Sequence, residues 1–71
     1  MGMSSESEPL SAAERHIAEC TRNIENQERV IARLEQDGHD LEEALWLLEI
    51  LRESRRLYEE DRDSAVRELR R

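Results

Sequence analysis

Between Leu10 and Leu34 the apolar positions are Leu10, Ala13, Ile17, Cys20, Ile24, Ile31 and Leu34. The steps between them are 3, 4, 3, 4, 7 and 3 residues, a heptad seam in which Gln27 fills the skipped position. This spacing predicts a long amphipathic helix. The helix opens on "SAAE", where Ser11 can cap the amide three residues on and Glu14 can reach back, a capping box. It stops at Gly38, which takes the left-handed C′ conformation without a Cβ clash. Asp40 then caps a second helix, with Glu43 as its box partner. The expected spans are about 11–37 for the first helix, 38–39 for the turn and about 40–70 for the second. Residues 1–9 are polar, end in Pro9 and are expected to form a disordered tail. The predicted fold class is all-α: a single antiparallel two-helix hairpin over 10–71, coiled-coil-like, because so short a link folds the helices back on each other.

Antiparallel pairing across Gly38 sets Leu34 against Leu41, Ile31 against Ala44, Gln27 against Leu48 and Ile24 against Leu51. Further out, Cys20 faces Arg55, Ile17 faces Tyr58 and Ala13 faces Arg62. The hairpin seam is therefore Ile17, Cys20, Ile24, Ile31, Leu34, Leu41, Leu48, Leu51 and Tyr58. Arg55 and Arg62 are expected to extend from the seam to Glu19 and Glu14. The seam is apolar near the turn and polar at the open end, which is expected to fray first.

The stretch "DGHDLEEALWLLEIL" carries more apolar residues than one neighbouring helix can cover. On a wheel of ~100° per residue, a broad face holds Leu41, Ala44, Leu45, Leu47, Leu48, Leu51, Tyr58, Val66 and Leu69, and is expected to meet the first helix. Trp46, Ile50 and Leu57 fall on the far side, in one line. With Leu47 at the edge of the first face and Val30 off the edge of the first helix's stripe, they form a candidate second interface. A single two-helix seam buries too little to offset the ordering of so many residues, and a second hairpin would supply the missing area. A homodimeric four-helix bundle is the expected assembly. The alternative is an adaptor or regulatory subunit that docks a helix of another protein on the Trp46, Ile50 and Leu57 stripe.

Composition narrows the function classes. The chain has 71 residues, 41% charged and 37% hydrophobic, with a formal net charge of −7. That charge repels polyanions, so a nucleic-acid partner is not expected. The acidic balance and the lack of a long apolar run argue against membrane binding. All eleven basic residues are arginine, many spaced for i,i+4 pairs with carboxylates: Arg15 with Glu19, Glu25 with Arg29, Arg33 with Asp37, Arg55 with Glu59, Arg56 with Glu60, and Asp63 with Arg67. The opening residues lack the apolar core of a secretory signal, and Glu6 stands where a myristoylation motif needs Ser or Thr. Cys20 is the sole cysteine. A reducing, cytoplasmic setting is expected.

Chemistry-bearing residues are sparse. His16 and Cys20 lie one turn apart, as two metal ligands would, but His39 is the only further His or Cys and sits beyond the turn. The pair reads more simply as a seam cysteine and a half-buried histidine. Glu59, Glu60, Asp61 and Asp63 cluster without the glycine and spacing of a calcium loop. Glycine-rich phosphate loops are missing from the sequence. Neither catalytic activity nor a cofactor is expected.

The run "ERHIAECTRNIENQERVIARLEQDGHDLEEALWLLEIL" resembles small helical-hairpin proteins of alphaproteobacteria, rhizobia and their relatives among them. The resemblance rests on Arg15, His16, Ile17, Ile24, Gln27, Ile31, Leu34, Gly38, Asp40, Ala44, Leu47 and Leu48. It implies a bacterial cytoplasmic protein. That family carries no assigned activity, so the resemblance transfers no functional residues. The helical-hairpin aspartyl-phosphate phosphatases are similar in length, but "LRESRRLYEEDRD" lacks their Ser-Gln pair and sets its Asp elsewhere.

Overall fold

The computed structural model describes residues 8–71. Two helices, α1 (Glu8–Gln36) and α2 (Glu42–Leu69), pack against each other as an antiparallel hairpin, and the described residues contain no strand. Helix α1 starts earlier than the capping pattern predicts. Glu8 and Pro9 belong to it, not to the tail; the rest of the predicted tail, residues 1–7, lies outside the described residues. Proline in a first turn loses no ladder bond, because the amides there have no intrahelical acceptor, and its fixed φ suits the helix. Glu8 adds a negative charge at the positive end of the helix dipole. Ser11 thus sits inside the helix, and the predicted Ser11–Glu14 box does not begin it.

The turn follows from Gly38. Its φ of 75° is the left-handed conformation. The Gly38 amide donates to Glu35 O at 3.1 Å and the His39 amide to Leu34 O at 2.9 Å, the paired bonds of a Schellman ending. The helical span stops at Gln36 and resumes at Glu42, so the link is longer than the predicted 38–39. The N-cap of α2 is Leu41, which makes no side-chain cap bond, and not the predicted Asp40. Asp40 lies one residue earlier, where its Oδ1 accepts the Glu42 amide at 3.0 Å in an Asx turn. Leu41 is half-buried in the link and its carbonyl accepts the first helical bond, from the Leu45 amide at 2.9 Å. The reciprocal Glu43 bond of the predicted box is not formed among the described residues.

The two seams interleave. Half-buried or buried positions on α1 include Leu10, Ala13, Ile17, Cys20, Ile24, Gln27, Ile31 and Leu34. On α2 and its approach they include Leu41, Ala44, Leu48, Leu51, Arg55, Tyr58, Arg62 and Ala65. Both runs step by alternating threes and fours, so each helix offers one line to the other. Gln27 lies at the apolar end of the seam, half-buried, and donates from Nε2 to Ala44 O at 2.9 Å, which gives its side-chain amide a partner. Ala13, Cys20, Ile24 and Leu48 are the buried apolar residues. The turn-end residues Leu34, Leu41 and Ala44 are only half-buried, so the most buried positions are not gathered at the turn. The principal extents are 53 × 21 × 12 Å. The smallest is the diameter of one helix, so the hairpin is a single layer open on both faces.

The charges choose nearer partners than the i,i+4 pattern predicts. Arg33 and Asp37 pair at 3.6 Å, but Arg56 pairs with Glu53 at 2.6 Å and Glu19 with His16 at 3.4 Å. Arg29 bonds Asn26, Arg67 bonds Ser64, and Asp63 pairs with Arg62 at 3.3 Å. Arg55 reaches Thr21 at 3.4 Å, not Glu19, so neither seam arginine meets its predicted carboxylate. On a helix surface the i,i+3 neighbour is as close as the i,i+4 one, and residues across the seam compete with both.

Candidate interaction surface

Helix α2 is apolar well beyond its seam. Trp46 is 67% exposed, Leu57 52%, Leu45 47%, Leu47 42% and Ile50 40%, and Leu69 is also exposed. The face toward α1 is therefore narrower than the wheel predicts. Leu45 and Leu47 lie outside it, because a single neighbouring helix covers one line of side chains and little on either flank. Leu69 keeps the seam spacing, seven residues after Arg62, and is exposed at the end of α2. On α1 Val30 alone among the large apolar residues is exposed to this degree.

The exposed residues have an order. Leu47, Ile50 and Leu57 run along one flank of the α2 seam, with Ser54 between the last two; Trp46 stands one position further round. Val30 occupies the matching flank of α1. Together with Gln27 and Leu34 it lines a groove of about 740 Å³ whose other wall is Ala44, Trp46 and Leu47. Asp40 and Glu43 form its acidic rim. Val30 and Leu47 thus share one side of the hairpin, at the turn end.

The same side continues to the open end. There His16 stacks on Tyr58, ring centres 4.5 Å apart and planes 18° from parallel. Ala12, Asp61 and Ala65 line a groove of about 510 Å³ around them. The opposite side is more strongly charged. Glu28 and Arg52 bridge the helices there at 3.3 Å, and Leu45 lies one heptad before Arg52.

The chemistry-bearing residues do not converge. Cys20 is a free thiol buried in the seam, whereas His16 faces Tyr58 and Glu19. Among the described residues, no three His, Cys, Asp or Glu side chains gather as metal ligands would. The hydrogen bond from Arg56 to Glu53, helped by the Glu53 and Glu60 charges, raises the Arg56 guanidinium above its ordinary value. An arginine is charged at neutral pH in any case, so this fixes geometry, not protonation. No described helix is long and apolar enough to cross a membrane.

The seam stacking of His16 on Tyr58 escapes the sequence pattern, which sets Ile17 opposite Tyr58. His16, the residue before Ile17, lays its flat ring over the phenol from the flank of the seam. No family model, no curated protein and no solved structure matches the chain.

Proposed function

We propose that the chain is a non-enzymatic, self-associating interaction module whose exposed apolar side packs against a second copy to make a four-helix bundle. The observation that carries this reading is the exposed line Leu47, Ile50 and Leu57, with Trp46 beside it and Val30 across the groove. Exposed apolar residues scattered singly need no explanation, but a contiguous set on one side marks a contact surface. The single-layer hairpin gives the same direction. A domain closes its core with a second layer, and a copy of the same side is the simplest second layer. A buried free thiol suits a reducing compartment, and the cytoplasm is the proposed location.

Light scattering over a hundredfold dilution, on wild type and Trp46→Glu, tests the reading. The expected result is a wild-type dimer and a folded Trp46→Glu monomer. A folded wild-type monomer at every concentration overturns it. In that case the side is a docking surface for a helix of another protein, the adaptor alternative.

A further inference from the structure

We infer that the two copies meet with their Gly38 turns at the same end, related by a two-fold axis parallel to the helices. This rests on the self-association reading above and adds the geometry of the partner. Such an axis lays α2 of one copy along α1 of the other, and it keeps every residue at its own height. The register across the interface is then the register of the hairpin itself.

Two lines of residues face each other under this symmetry. On α2 the line is Glu43, Leu47, Ile50, Ser54, Leu57 and Asp61. On α1 it is Arg33, Val30, Asn26, Asn23, Glu19 and His16. The hairpin fixes their heights, because Val30 shares a groove with Glu43 and Leu47, and His16 shares one with Asp61. Glu43 therefore meets Arg33 of the second copy, Leu47 meets Val30, and Asp61 meets His16. Ile50 and Ser54 meet the two asparagines. Opposite charges fall together at the turn end, and the apolar pair stands next to them. The least complementary contact is Leu57 with Glu19, whose carboxylate turns toward His16 of its own chain at 3.4 Å.

The other two-fold arrangement sets the turns at opposite ends and lays α2 on α2. It can bring Leu47 to Leu57, but the same register brings Glu43 to Asp61 twice, once at each end. It also sets Val30 against the polar His16 end of α1. Like charges in contact are unfavourable, and an apolar residue against a polar end gains little. Charge complementarity and the confinement of Val30, Trp46 and Leu47 to one end both favour aligned turns.

Pulsed electron resonance distances on a spin label at His39→Cys test this. The background is Cys20→Ser, or Cys20→Ala should the serine variant not fold, with light scattering on the same sample. His39 is exposed in the link. Aligned turns give one distance of two or three helix diameters, about 20–30 Å. A dimer whose labels lie nearly the 53 Å length of the hairpin apart overturns the aligned arrangement and leaves self-association standing. A folded monomer overturns self-association and the arrangement with it.

Discussion

Helix α1 places Ala13, Cys20 and Ile24 among the buried residues and leaves Val30 as its one large exposed apolar side chain. Helix α2 buries Leu48 and exposes Leu45, Trp46, Leu47, Ile50, Leu57 and Leu69. Both present the same alternating seam, so the difference does not lie in how they meet. It lies in how much of each surface the meeting satisfies. One neighbour suffices for α1. For α2 it covers one line and leaves another in water. An amphipathic helix of a finished domain has one apolar stripe; α2 has the composition of a helix with neighbours on two sides.

That contrast can be broken or sharpened by substitution, measured as urea unfolding at dilutions where the chain is monomeric. Ile24→Ala removes a 4% exposed side chain from the α1 seam and should cost about 2–4 kcal/mol. A cost under about 1 kcal/mol would mean the seam collapses freely and α1 is no better satisfied than α2. Gly38→Ala should cost about 1–2 kcal/mol, since a Cβ there meets nothing within 4 Å and the penalty is the left-handed backbone alone. Asp40→Ala removes the Asx-turn bond to the Glu42 amide at the start of α2 and should cost about 1 kcal/mol, detected as a lower midpoint with an unchanged urea slope. Arg52→Ala breaks the half-exposed bridge to Glu28 and should cost between ~0.2 and ~1 kcal/mol, less at high salt. Leu57→Ser should change the monomer by no more than about 0.5 kcal/mol. A larger loss would show that the outer line of α2 already stabilises the isolated hairpin.

The hairpin was legible in the sequence because its signals are short-range. The three-four steps from Leu10 to Leu34, the glycine at 38 and the aspartate at 40 each act within a few residues. The antiparallel pairing followed from them: Ile17 lies within one residue of the observed His16–Tyr58 stack. What the sequence hid depends on neighbours in space. Pro9 reads as the end of a tail, yet it fits a helical first turn. Leu45 and Leu47 fall on the seam side of a wheel, but a wheel carries no measure of how wide a strip one helix covers. The arginines have several carboxylates within reach, and spacing alone does not choose between Glu53 and Glu60 for Arg56. For the candidate surface, the Trp46, Ile50 and Leu57 line is visible in the pattern. The groove joining Val30 to Leu47 needs the two helices in place.

The connection through Gly38 and Asp40 also has a meaning in time. Chains grow from the amino end, and α1 is complete before any of α2 exists. Its single stripe leaves one line of apolar side chains waiting for a neighbour. The next stretch to follow is the most apolar, Leu41 to Leu51, the end of the link and the first turns of α2. The short link delivers that stretch directly beside Ile24, Ile31 and Leu34, at small loop-closure cost. Closure then proceeds outward from the turn, through contacts of rising sequence separation, a course that favours rapid folding. The stretch most prone to wrong associations is thereby the one given a partner soonest.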